Sequence, residues 1–253
     1  PPPIAIASLA QAGCLSFELS TGARSLFVNG GAPGPADPDW RAASRATASH
    51  STLCLANRSS ARLVRSRMLE ELIGAAPIRF PQRVTVKHGR ESDGRVWITA
   101  GHDGYLAETG LIHTRTLTLS ADGRRLDGRD RLEPPHGVLR LKRDEPFAVH
   151  FHLSPQAGCR RVGRGGPVLI ELAGATWAFA AEGAAVEIEE SAFYADFSGP
   201  RRTLQIVLRG ATFGSSDITW SLAAVEARAT GIASTGSADA GEPTTVAAEA
   251  AEA

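Results

Sequence analysis

Over most of its length this chain alternates apolar and polar residues with a period of two, and Gly, Pro or Asp-Gly breaks the pattern every few residues. Side chains of an extended strand point to opposite faces in turn, so this alternation builds strands with one apolar face. The clearest run is 146–153, where Phe147, Val149, Phe151 and Leu153 alternate with Ala148, His150 and His152. Val84/Val86, Val96/Ile98/Ala100, 112–120, 126–132 and Val168/Ile170/Leu172 repeat it. Trp177/Phe179, Val186/Ile188, Leu204/Ile206/Leu208 and Ile218/Trp220/Leu222 follow. Nearer the N-terminus, 14–19, 25–29 and 49–56 read the same way. About a dozen short strands predict an all-β fold, an antiparallel β-sandwich. Alternation, rather than continuous apolar runs, implies that each sheet has one covered face and one wet face. On that reading His150 and His152 lie on a polar outer face.

Three stretches depart from the pattern. Residues 30–39 are rich in Gly and Pro and read as loop, and Trp40 beside it reads as an amphipathic lid on the core, with sugar stacking as the alternative. In 61–75, Leu63, Val64, Met68, Leu69, Leu72 and Ile73 approximate helical spacing, and both a short helix and irregular structure fit. From Glu226 onward Ala, Thr, Ser, Gly and Glu dominate. Such a segment buries too little apolar surface to offset its ordering entropy. The expected organisation is therefore a sandwich domain over 1–225 and a disordered C-terminal tail over 226–253.

Several classes of function are disfavoured. The 27 Lys and Arg balance 27 Asp and Glu, which gives no nucleic-acid footprint. No apolar run reaches the roughly 18 residues of a membrane-spanning helix. The chain opens Pro-Pro-Pro without Met or a visible signal peptide and reads as a fragment lacking its natural N-terminus. Cys14, Cys54 and Cys159 are odd in number and lack metal-like spacing, so buried free thiols are expected. There is no nucleophile elbow, phosphate loop, dinucleotide fingerprint, paired Cys-x-x-Cys or His-Glu-x-x-His.

Polar candidates concentrate between Val96 and Leu132. A strand leads to the corner His102-Asp103-Gly104-Tyr105, and a long strand opens with Gly110-Leu-Ile-His113-Thr-Arg115. Asp122-Gly123 then predicts a two-residue hairpin turn. The corner is open to two readings, a structural turn or a substrate-facing site. His113 and Arg115 share a strand face and could bind a carboxylate or sulfate, or equally hold a neighbouring acidic side chain. His150 and His152 have the spacing of two metal ligands, but no third lies near them in sequence.

Taken in order, 49–55, His102–Tyr105, Gly110–Arg115, Leu119–Gly123, Phe147–Pro155 and Arg202–Gly210 resemble the C-terminal part of bacterial heparinase II/III-like proteins, over about residues 10–222. The resemblance implies a polysaccharide lyase with an N-terminal (α/α) toroid and a C-terminal antiparallel sandwich. Such lyases cleave uronic-acid-containing glycans by β-elimination. It implies a bacterial cell-envelope or periplasmic location and an acidic polysaccharide as partner. The toroid, which would carry the catalytic residues, is missing from this chain. Glycan contacts are expected at His50, His102, Tyr105, His113 and Arg115. The family's zinc or calcium site is expected to be eroded. Its His-x-His-x-Asp stretch matches Leu9–Cys14, which has no histidine, Asn29 stands where an Asp is common, and His50 remains. The alternative is a non-catalytic carbohydrate-binding or structural module of the envelope.

Overall fold

A computed structural model describes residues 10–33, 38–64, 68, 77–136, 143–196 and 198–226. Strands β1 (Leu19–Thr21) and β2 (Arg24–Val28) form a first hairpin, followed by helix α1 (Pro38–Ser44) and a 3-10 turn at Thr47–Ser49. Next come β3 (Leu53–Leu55), β4 (Arg62–Leu63), β5 (Pro77–Arg79), β6 (Val84–Arg90) and β7 (Val96–His102). A short helix α2 (Leu106–Thr109) precedes β8 (Ile112–Leu119) and β9 (Arg125–Glu133). The remaining strands are β10 (Pro146–Leu153), β11 (Gly158–Arg161), β12 (Val168–Leu172), β13 (Ala175–Glu182), β14 (Ala185–Phe193), β15 (Arg201–Ala211) and β16 (Asp217–Val225).

These strands form the expected sandwich. One sheet runs β1-β2-β10-β15-β14 with β3 also on β10, and the other runs β11-β12-β13-β16-β9-β8-β7-β6. β4 and β5 pair separately. The pairings are antiparallel. Phe27 and Phe151 from the first sheet meet Phe179 and Trp220 from the second. Phe151 lies 5.0 Å from Phe179 and 4.8 Å from Trp220, edge to face. Phe17 stacks on Trp220 at 5.7 Å. Such large rings dominate the buried apolar area of a core. Gly128 in β9 is needed for this packing, because a Cβ there would come within 2.0 Å of the Trp220 ring.

Several expectations need correction. The 14–19 alternation is not a strand. Leu15 has φ 58° and turns the chain, so only Leu19 enters β1, although Phe17 still reaches the core. The 49–56 strand shrinks to β3, because Thr47–Ser49 winds into the 3-10 turn. The β8–β9 hairpin forms where Asp122-Gly123 predicts it, but not through a two-residue turn. Gly123 N–H donates to Ser120 O, Ser120 N–H donates to Arg125 O, and only Gly123 is left-handed, at φ 69°. Helix α1 begins inside the stretch read as loop. His150 and His152 are buried, because the segment around Ala48 covers the outer face of β10. Of the free thiols only Cys54 is buried; Cys14 and Cys159 are partly exposed. The possible helix at 61–75 lies largely outside the described residues, as does the tail beyond Glu226.

Candidate functional site

The corner His102-Asp103-Gly104-Tyr105 resolves into four separate jobs. His102 Nδ1 accepts the Gly104 N–H at 3.0 Å. Asp103 Oδ1 accepts the N–H groups of Gln82 and Arg83, at 2.7 and 3.1 Å, and so fixes the start of β6. Gly104 lies so close to the Ser60 carbonyl that a Cβ would stand 2.4 Å from it. Tyr105 Oη donates to Leu53 O across to β3, at 2.8 Å. Gly110, left-handed at φ 79°, ends α2 and turns the chain into β8.

β7, β8 and β9 then align a buried polar chain. His102 stands opposite His113, and Arg115 opposite Asp130. The Gly104 N–H occupies His102 Nδ1, so His102 carries its proton on Nε2. It donates that proton to His113 Nδ1 at 3.3 Å. His113 Nε2–H in turn donates to Asp130 Oδ1 at 2.7 Å. The partners thus fix both tautomers. Asp130 also accepts Arg115 Nε (2.8 Å) and Nη2 (3.1 Å) and the Trp220 indole N–H (3.0 Å). Arg115 Nη1 reaches the Ser51 and Leu15 carbonyls at 2.7 and 3.1 Å.

The electrostatics agree with this geometry. Burial pushes His102 down to about 3, helped by His113 and by the Arg115 charge. Burial likewise lowers His113, even though Asp130 pulls the other way. Burial alone would raise Asp130, but Arg115 and His113 outweigh it and hold the carboxylate well below its usual range. The centre is therefore one ion pair flanked by two neutral imidazoles.

His50 sits in a second knot. The neutral ring donates from Nδ1 to Ala46 O at 2.8 Å, and Nε2 then accepts from the Gln11 side chain 2.7 Å away, with that amide turned so that its NH2 faces the ring. Gly13 packs flush against the ring, where a Cβ would come within 2.5 Å. Burial lowers the His50 pKa. Asn29 is engaged by its neighbours: Oδ1 accepts the Ser51 N–H at 2.9 Å, and Nδ2 donates to Glu18 at 3.2 Å. On the outer face of β10, His152 donates from Nε2 to Ala48 O and accepts the Ser191 hydroxyl at Nδ1, while His150 Nδ1 bonds Gln205 at 3.0 Å. The two rings stack at 5.9 Å.

The structure therefore brings His102, His113, Arg115 and Tyr105 into one region and keeps His50 in another. All five expected glycan contacts are interior, from 0% exposed at His113 to 3% at His50 and Arg115. The hub of the network, Asp130, was missed in the sequence, as were Trp220 and the Ser51 carbonyl. Hairpin register held the clue, since closing β8 on β9 at Asp122-Gly123 sets Arg115 opposite Asp130.

A protein-family comparison covers nearly the same span as this architecture: the family described as "Heparinase II/III-like, C-terminal" matches residues 1–234. This chain belongs to that family. Its heparinase-type sandwich superposes on heparinase III, the BT4657 gene product, with a TM-score of 0.63 and 12% identity over 87% of this chain. It superposes on a mutant of the heparan sulfate lyase HepC from Pedobacter heparinus with a TM-score of 0.64 and 14% identity over 86% of this chain. At such identities the likeness is one of fold. FtsZ-localized protein C of Caulobacter vibrioides is 37% identical over 121 residues, 46% of this chain. The chain spans 31% of each of these two solved structures and 21% of FtsZ-localized protein C. The zinc or calcium site implied by the heparinase resemblance does not fit the residues present. His50 has both ring nitrogens engaged within the protein, Asn29 is a neutral amide already bonded, and among the described residues no three His, Cys, Asp or Glu side chains converge.

Proposed function

We propose that this chain is the β-sandwich portion of a polysaccharide lyase that cleaves uronic-acid-containing glycans by β-elimination, with the chemistry carried by an (α/α) toroid of the same protein. The family match over 1–234 carries this reading. In it the domain forms part of the wall of the glycan cleft. His102, Tyr105, His113 and Arg115 fix the backbone of that wall, and His50 braces the loop beside it. The eliminated uronate proton is weakly acidic, so its removal needs a carboxylate-neutralising group and a positioned base. The reading assigns both to the toroid. It also places the protein in the bacterial envelope or periplasm. The test is to follow the ultraviolet absorbance of unsaturated uronate products from heparan sulfate, with this chain and with the full-length protein. Turnover by the full-length protein alone is expected; inertness of both overturns the reading.

A second reading is a non-catalytic structural or carbohydrate-binding module. The 37% identity to FtsZ-localized protein C favours it, since that protein is named for its place with FtsZ. A fluorescent fusion gathered at the division site, together with full-length protein inert toward heparan sulfate, would select it.

A further inference from the structure

β6 ends the eight-stranded sheet, and among the described residues no strand lies along its outer side. Val84 and Val86 are each 55% exposed, and Ile98, on the same face of β7, is 40% exposed. This is the face that β8 and β9 turn inward with His113, Arg115 and Asp130, so the core side of the sheet continues past whatever covers it. Single exposed aliphatics are ordinary, but an unpaired edge strand carrying two on one face, with a third beside them on β7, is a template for another strand. At its start this face opens into an apolar groove lined by Cys14, Ala61, Phe80, Pro81 and Val84. The edge is basic: Arg83, Lys87 and Arg90 lie on or beside it. Among the nearby acids, Asp93 is paired with Arg95 at 2.6 Å, which leaves Asp103 and Glu91 against the three cations.

We infer that β6 accepts an extended peptide of alternating acidic and apolar residues from another protein, added as a ninth strand. Main-chain hydrogen bonds would satisfy the open edge. Alternate apolar side chains would cover Val84, Val86 and Ile98, and the carboxylates between them would meet Arg83 and Lys87 on the opposite face. A second copy of this chain fits less well, because pairing two β6 strands antiparallel brings the same cations together. β6 pairs directly with β7, Val84 opposite His102, but the inference does not rest on the glycan reading, since its partner is a peptide rather than a polysaccharide.

The test is an amide NMR titration of the 253-residue chain with a short end-blocked peptide of alternating Glu and Val. Shifts and slowed amide exchange confined to β6 and the Ile98 region are expected. Lys87→Glu should weaken this peptide at least about tenfold and make a Lys–Val peptide the better ligand. Val86→Asp, on the other face, should weaken both peptides, and unchanged signals from β10 and β15 confirm that each variant is folded. Equal binding of both peptides to the unaltered chain overturns the inference. So do shifts outside β6–β7, or a heparan sulfate oligosaccharide that occupies β6 where the peptide does not.

Discussion

Arg115 and Asp130 face each other across the β8–β9 ladder and are joined by two hydrogen bonds, Nε to Oδ1 and Nη2 to Oδ2, in a fork-on-fork pair out of reach of water. A buried ion pair of this kind is a weak net stabiliser, yet each half depends strongly on the other. Asp130→Asn strands the guanidinium and should cost about 3–5 kcal/mol. Replacing the pair together, as Arg115→Met with Asp130→Leu, should cost less than the sum of the single changes. Urea unfolding of the unaltered chain, Arg115→Met, Asp130→Leu and the double variant completes the cycle, and additive costs would refute the coupling.

The histidines predict acid sensitivity. His102 and His152 are pushed down to about 3 from 6.5, and His50, His113 and His150 are also lowered, each chiefly by burial. Below pH 6.5 the unfolded chain takes up protons that the folded chain refuses, so stability is lost as pH falls toward 3. Each site contributes a slope of up to about 1.4 kcal/mol per pH unit. Denaturant unfolding at stepped pH should show this slope, and His152→Gln should reduce it by one proton.

Two tryptophans separate a used indole N–H from an unused one. Trp220 donates to Asp130, whereas Trp177 Nε1 has no partner among the described residues. Trp220→Phe leaves the Asp130 carboxylate one donor short. It should cost about 1–3 kcal/mol more than Trp177→Phe. Thermal unfolding of the two variants checks the order.

Gly128→Ala places a methyl group inside the Trp220 ring. The ring must move away from Phe17 and Phe151, at a cost of about 1–3 kcal/mol or more. A change in near-ultraviolet circular dichroism should accompany the lower melting temperature.

The sandwich was legible from β6 onward because its strands keep strict alternation, and a period of two has one structural meaning. The N-terminal part was less legible for a local reason. Cys14 to Leu19 alternates as well as β10 does, but the left-handed turn at Leu15 is imposed from outside, where Arg115 takes the Leu15 carbonyl and Thr52 the Cys14 carbonyl. Alternation alone puts His150 and His152 on a wet face, because it shows which residues share a side, not what covers that side. The Ala48 segment that covers them lies about a hundred residues away in sequence. The cluster at 102–115 stood out in sequence, but its centre, Asp130, looked like one more strand acid until register set it against Arg115.

The reach of Arg115 to the Ser51 and Leu15 carbonyls fastens two early segments of the chain to a strand formed much later. Peeling away either early segment would strip a carbonyl acceptor from the buried guanidinium, so fraying at the margins is suppressed and the body should melt in a single event. A larger protein containing this unit therefore inherits a stiff block, and any motion in such an assembly belongs to the joints around it.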